Sequence, residues 1–538
     1  MKTFLVLLAL LCSIAFGKDL NAVLQSGVDD FNSNNFARSN IKSCNIGNLT
    51  LTCTKNLTWV PANSFSVYNG IAYFGDLNGY VYAMNISAPD CPYIWTNYLP
   101  AQTGRYGVQT LYGSTGSSSR NTPALVPKYG IFVLGDLSSA RVWGLNMSTG
   151  VILWETLLDS YYYARITAEP SIGSDDQSVY IGVSSLEEGD PACFGALPAY
   201  CVFRGKFVKL NIFTGSLIWQ FNTSVGDSSN PYGYAGAPVW GSTFPKMSGK
   251  VCFATGNSYR IPDNVTACLN NNGTMDSCAD PNHLSNSVVC VYEASGLKAW
   301  SYRFDLDVWT IACGPDGAPP GIFPLPTCDF NNNQGDIDFG QAPMIVTIHK
   351  KGKKINALLI GQKSGYVHAL NFDTGAKIYS VFTGPTSTVG GILFGHAYDG
   401  KQAYFSNVNG FKNFTTLVDG YTNCTGGILS AIEPNTGTIL WQACDPYANR
   451  TYGTLSVSRN TVWTGSLNYQ GPNLFAYKNT GELIFSAQLV GSQFSSPVFY
   501  GNYMMVGSGY IGKTFYNQGT TIYVWKMTGD ENCDCDDH

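Results

Sequence analysis

Short runs of alternating apolar and polar residues, each cut by a glycine-containing turn, follow one another from about residue 60 to residue 527. One phrase recurs: an apolar strand, a turn carrying Thr-Gly or Ser-Gly, and a second strand that closes on an aromatic. It reads RVWGLNMSTGVILWE at 141–155, GKFVKLNIFTGSLIWQ at 205–220 and SVVCVYEASGLKAWS at 287–301. It returns as GYVHALNFDTGAKIYS at 365–380, GILSAIEPNTGTILWQ at 427–442 and NLFAYKNTGELIFS at 473–486, with a degenerate early copy at 79–97. Period-two alternation is the signature of a half-buried strand, and the glycine supplies the positive φ of a hairpin turn. Second hairpins lie between the phrases, at 168–185, 236–257, 341–365 and 495–509. Four strands per repeat is the blade of a β-propeller. Seven phrases plus a last strand, TTIYVWKM at 520–527, predict an all-β fold of about eight blades. The C-terminal strand is expected to close the ring with strands from about residues 65–85. Helical spacing is confined to residues 20–37, where one short helix is expected.

The flanks read differently. Residues 1–17 have a basic start at Lys2, an apolar core from Phe4 to Phe16 and small residues at Ala15 and Gly17, the pattern of a secretory signal peptide. Residues 18–60 form an N-terminal extension, 61–528 the propeller and 529–538 an acidic, cysteine-containing tail. No later stretch is apolar enough for a transmembrane helix. The expected setting is extracellular, or the lumen of the endolysosomal system. Ten Asn-x-Ser/Thr sequons fit a glycoprotein of that route. Fifteen of the sixteen cysteines lie beyond the leader. Cys44/Cys53, Cys193/Cys201, Cys268/Cys278, Cys313/Cys328 and Cys424/Cys444 each bracket a loop-like stretch and are expected as disulfide staples, while Cys252 and Cys290 sit in apolar strands as buried thiols. A net charge of −5 without a basic stripe excludes nucleic acid as a partner. With 12% charged residues, 14% aromatics and 58 glycines, the composition is that of a turn-rich β protein.

The repeated phrase resembles the tryptophan-docking repeat of the pyrroloquinoline-quinone (PQQ) dehydrogenases, and the resemblance spans the chain from about residue 60. The motifs YIGVSSLEEG (180–189), CVFRG (201–205), FATGNSYRIPDNVTAC (253–268), DVWTIACGPDG (307–317) and IDFGQAPMI (337–345) are similar to those of the polyvinyl-alcohol-dehydrogenase-like branch. The resemblance implies a fold of the quinoprotein alcohol dehydrogenase type, with PQQ and a calcium-like cation on the propeller axis. It places Glu187 and Asn257 as cation ligands and Trp240 as the indole floor under the quinone. Lys363 falls beside the quinone oxygens, and Thr167, Ser184 and Arg204 fall where the cofactor is held.

Chemistry supports each assignment separately. A hard cation takes carboxylate and amide oxygens, a flat cofactor takes a rigid aromatic face, and an ammonium stabilises negative charge developing on a quinone. The general base is expected at Asp307 or Asp305, because Thr310 stands where the family carries an aspartate after D-x-W. Tyr200 and Cys201 replace the vicinal cysteine pair of some members, and no C-x-x-C-H haem attachment occurs. These features imply an alcohol oxidoreductase acting on a small or polymeric alcohol, a polyol included, that hands electrons to a separate acceptor. The alternative is a catalytically silent propeller that binds protein or carbohydrate through its loops.

Overall fold

The structure, a computed structural model, describes residues 19–538 apart from 62–63, 108, 111–112, 115, 190–192, 194–200, 227–228, 231, 305–307, 309–335, 351, 388–389, 496, 510–518, 530–532 and 534–538. Eight antiparallel sheets stand around one axis. Blade 1 runs Ser66–Tyr68, Ile71–Gly75, Tyr80–Asn85 and Tyr93–Tyr98, from innermost to outermost strand. Blades 2 to 7 follow in chain order, their innermost strands being Ala124–Val126, Ser171–Ile172, Lys246–Met247, Met344–Lys350, Ile392–Tyr398 and Ser456–Ser458. Blade 8 takes Val498–Tyr500, Tyr503–Gly507 and Thr521–Met527 from the C-terminus and its outer strand, Leu49–Asn56, from the N-terminus.

The recurring phrase is the third and fourth strand of a blade, and its conserved look has a mechanical cause. In the turn, the side chain of Asn146, Asn211 or Asn371 accepts the N–H groups two and three residues on, which fixes the bend. The closing aromatic then reaches into the next blade. Trp154 Nε1 donates to the Ile212 carbonyl at 2.9 Å, Trp219 to Glu293 at 3.0 Å, Trp300 to Phe372 at 2.9 Å and Trp441 to Asn479 at 2.8 Å. Each ring lies on the glycine of that neighbour's turn. At Gly215, φ is +69° and a Cβ would stand 2.3 Å from the Trp154 ring, so the position needs both the conformation and the missing side chain. The core is correspondingly divided into clusters shared between adjacent blades.

Four expectations need correction. The C-terminal strand does not pair with residues 65–85. It pairs with Leu49–Asn56, whose alternating Leu and Thr are strand-formers outside the repeat pattern, while 66–98 build a blade of their own. Residues 20–37 are not helical. Asp29 accepts the N–H groups of Phe31 and Ser33, and Gly27, Val28, Asn32 and Asn34 adopt positive φ, so local side-chain bonds and left-handed residues replace a helix. Finally, Cys44 and Cys53 do not pair. The extended strand carries them apart, and Cys44 joins Cys533 while Cys53 joins Cys91. Cys252 and Cys290 are not thiols: they face each other in register on neighbouring strands and are bridged. The pairs Cys193–Cys201, Cys268–Cys278 and Cys424–Cys444 form as expected. Cys313 and Cys328 lie outside the described residues, as does the leader. Six disulfides among the described residues are the mark of a chain folded in an oxidising compartment. No helix of the described residues is long and apolar enough to cross a membrane.

Candidate functional site

In a four-stranded blade, the loop leaving the second strand and the loop entering the next innermost strand emerge on the same face. Glu187, Glu188, Arg204, Asn257 and Lys363 belong to loops of the first kind, and Thr167, Trp240, Asp336 and Asp338 to the second. The topology therefore collects residues from blades 3, 4 and 5 at one mouth of the axis.

Lys363 is the centre of the cluster. Its ammonium is paired with Asp336 Oδ2 and, at 2.6 Å, with Asp338 Oδ1, and it stands 4.5 Å over the ring of Trp240. Trp240 Nε1 donates to Asp338 Oδ2 at 3.0 Å, and Asn257 Nδ2 donates to Asp336 Oδ1 at 3.1 Å. The indole is held edge-on by Phe394 and lies so close to Gly256 that a Cβ there would be 2.9 Å from Nε1. Beneath it, an axial chamber of about 40 Å³ is lined by Thr167, Glu169 and Arg120. Burial pushes the Asp338 carboxyl up, to about 7, against the pull of Lys363. Burial alone would lower Lys363, but the two aspartates overcome it and hold the amine protonated.

The two adjacent glutamates have opposite fates. The Glu187 carboxylate is spent on structure: it accepts the N–H groups of Val202 and Phe203, both at 2.8 Å, and the Tyr161 hydroxyl at 2.5 Å. Glu188 instead lies within the electrostatic reach of Lys363, with its Oε2 buried and without a hydrogen-bond partner. Burial pushes this carboxyl up as well, to about 7, and the hydroxyl of Tyr259 bonds to it. Ser184 and Thr167 share a hydrogen bond of 2.6 Å at the edge of the chamber. Arg204 points its guanidinium at the carbonyls of Val202 and Val225 and lines an open groove of about 930 Å³ with Tyr161 and Tyr162. Asp305 and Asp307 lie outside the described residues.

Sequence reasoning missed Asp336, Asp338, Glu188 and Tyr259. The first two had a readable signal, since D-I-D-F-G at 336–340 sets two carboxylates on one side of an extended segment. Among the described residues, no three His, Cys, Asp or Glu side chains converge as a metal site by themselves.

Known proteins share the repeat and the fold. The PQQ_2 family, described as outer membrane protein assembly factor BamB, matches residues 425–533. A polyvinylalcohol dehydrogenase of Sphingopyxis sp. (strain 113P3) is 29% identical over 291 residues, 52% of this chain and 40% of that protein. A polyvinylalcohol dehydrogenase of Pseudomonas sp. is 26% identical over 344 residues, 61% of this chain and 46% of that one. The chain thus matches less than half the length of these curated relatives. Among solved structures, the quinohemoprotein alcohol dehydrogenase ADHIIG of Pseudomonas putida HK5 superposes with a TM-score of 0.68 at 16% identity, over 95% of this chain and 81% of its own. A europium-containing methanol dehydrogenase superposes with a TM-score of 0.68 at 14% identity, over 94% and 98%. With the docking repeat and eight blades in hand, the chain has the eight-bladed propeller fold of the quinoprotein alcohol dehydrogenases and is similar in its repeats to the PQQ-repeat proteins.

Proposed function

We propose that this protein is a secreted, glycosylated oxidoreductase that oxidises an alcohol, a polyol or polymer hydroxyl included, with PQQ and a calcium-like cation, and passes the electrons to an external acceptor. The observation that carries the reading is the Lys363–Asp336–Asp338 cluster seated on the Trp240 indole. The residues present fit both absent groups. Two carboxylates, Asp336 and Asp338, contact one ammonium and a third, Glu188, lies within its electrostatic reach, so a divalent cation would restore neutrality. The bare Glu188 Oε2 offers it a hard oxygen donor. Trp240, fixed by Phe394 and Gly256, offers a flat cofactor a rigid face. The ligand role first assigned to Glu187 passes to Glu188, because the Glu187 oxygens are already engaged.

When bound, the quinone supplies a two-electron acceptor and the cation a Lewis acid beside it. This chain's residues do the rest. Asp338, whose carboxyl burial pushes up, is the group in the cluster suited to take the substrate hydroxyl proton. Lys363 stays cationic throughout and stabilises negative charge arising next to it. Phe394 and the glycines hold the indole plane.

Binding can be tested without turnover. Chelator-stripped protein given PQQ and calcium should lose tryptophan fluorescence and gain thermal stability, by about 2.7 kcal/mol at 100 times the dissociation constant. Trp240→Ala and Glu188→Gln should abolish both signals. Absence of both in the wild-type protein, with calcium or a lanthanide, would sink the reading in favour of a silent propeller.

A further inference from the structure

The innermost strand of every blade has a bare edge facing the axis, and an unpaired N–H there is costly when buried. Residues 19–42 meet that need blade by blade. The carbonyl of Val23 accepts from Val67 N in blade 1 at 2.8 Å, and that of Leu24 from Leu125 N in blade 2 at 2.6 Å. Gln25 Oε1 accepts from Ile172 N in blade 3 at 2.9 Å. The carbonyls of Asp30, Phe31, Ser33 and Asn34 accept in turn from Lys246, Ile345, Tyr398 and Val457, in blades 4, 5, 6 and 7, at 2.7, 2.9, 2.8 and 2.9 Å. Asn40 N then donates to the Gly501 carbonyl in blade 8 at 3.0 Å. The circuit closes on itself: Arg38 donates to the Leu20 carbonyl at 2.6 Å, and Asp19 accepts from Asn69 in blade 1 and Tyr500 in blade 8.

We propose that the face opposite the candidate site is a peptide-binding site, that its ligand is this chain's own asparagine-rich segment 19–42, and that this segment acts as one clasp that ties the eight blades together and seals the axis. Its chemistry as a ligand is legible. Asparagine side chains bridge where the backbone turns away: Asn32 Nδ2 donates to the Pro343 carbonyl and Asn34 Nδ2 to that of His396, both at 3.0 Å, while His396 Nε2 binds the Asn32 carbonyl at 2.9 Å. Apolar anchors mark the ends, Val23 at blade 1 and Phe36 against Phe499 at 5.3 Å. Val28, held at φ +72°, is a β-branched residue in the left-handed region, a conformation that persists only where its surroundings impose it. Gln25, Ser26, Gly27 and Val28 form the far wall of the chamber under Trp240. The clasp therefore walls off the chamber on the side away from Trp240. This inference is independent of the cofactor reading.

The test uses the full chain carrying a protease recognition sequence between Lys42 and Ser43. After cleavage, the 19–42 fragment should remain with the propeller through size-exclusion chromatography. Labelled synthetic 19–42 peptide should exchange into the cleaved protein, and a peptide with Asn32→Ala and Asn34→Ala should compete at least tenfold more weakly. A fragment that leaves on the column, or a scrambled peptide that binds equally well, would overturn the proposal. Hydrogen exchange on the uncleaved chain decides the case even if cleavage causes aggregation. In an Arg38→Ala variant, the amides of Val67, Leu125, Lys246, Ile345, Tyr398 and Val457 should speed up together, because one ligand opens as a unit. Acceleration confined to the blades nearest Arg38 would show separate local contacts and refute the clasp.

Discussion

Replacing Lys363 by methionine keeps the volume of the side chain and removes its charge. In the native cluster the ammonium lies 2.6 Å from Asp338 Oδ1 and is paired with Asp336, all three groups being buried. At an effective dielectric of about 20, the Asp338 pair alone is attractive by about 6 kcal/mol before desolvation is counted. Most of that gain is offset by the cost of burying the ions, so deletion is not measured by it. What decides the outcome is the pair of carboxylates left facing each other, and breaking a buried pair in this way costs about 3–5 kcal/mol. The loss must depend on pH. At pH 8 the buried Asp338 carboxyl is pressed to ionise without a counter-charge, whereas at pH 5 burial lets it keep its proton and so relieves the repulsion. Denaturant unfolding followed by tryptophan fluorescence, with chelator present, should show Lys363→Met losing about 3–5 kcal/mol at pH 8 and roughly half of that or less at pH 5. An equal loss at the two pH values, or one below about 1 kcal/mol at pH 8, would show that the cluster is not the buried ion triad described.

Other outcomes follow from features elsewhere in the ring. Gly215→Ala should cost about 2–4 kcal/mol, combining left-handed strain with the clash on Trp154, whereas Gly249→Ala, at φ +74° with open space, should cost only about 1–2 kcal/mol in the same unfolding assay. Burial pushes the His396 ring down to about 4, so the unfolded chain takes up a proton first as the pH falls. Stability is thus intact above about pH 6.5 and is lost between there and about pH 4, by up to roughly 3 kcal/mol for this ring, and His396→Gln should flatten that slope in acid titrations. Asn48, Asn56, Asn222, Asn264, Asn272, Asn413 and Asn423 are exposed, and the other three sequon asparagines are half-buried. N-glycosidase treatment of protein made through a secretory host should therefore remove mass in several steps, and a single unshifted band would contradict the glycoprotein reading.

The blades were legible because each phrase is a local event: strand, turn and strand lie within some sixteen residues, and the glycine and the aromatic announce the lock between neighbours. Ring closure was not, because Leu49–Asn56 carries no turn of its own and finds its partner at Thr521–Met527, at the far end of the chain. The clasp was misread as a helix for a related reason: its carbonyls are claimed by seven distant strands, which no spacing within 20–37 reveals. At the candidate site, Lys363, Trp240 and Asn257 were found from their motifs and do gather at one mouth. Which of two adjacent glutamates lies nearer the lysine is set by a single loop residue: Glu187 is bonded to Val202 and Phe203, while Glu188 lies within the electrostatic reach of Lys363. Asp336 and Asp338 were overlooked because attention fell on the D-x-W stretch, and only folding brings the 336–340 segment against Lys363.

The bridge between Cys44 and Cys533 makes the chain, in effect, a circle. All eight blades lie on the loop between these two cysteines, whose separation in sequence is 489 residues. A protease that cuts one exposed loop opens the circle without dividing the molecule, and both halves stay on one covalent thread. Release of a fragment from within the circle needs two cuts, and Cys53–Cys91 adds a second tie across the seam where the ring began. Wear of this kind is invisible on a non-reducing gel and shows only after reduction. In a protease-rich lumen such a molecule can age by accumulating nicks while its blades, and whatever they hold at the axis, remain together.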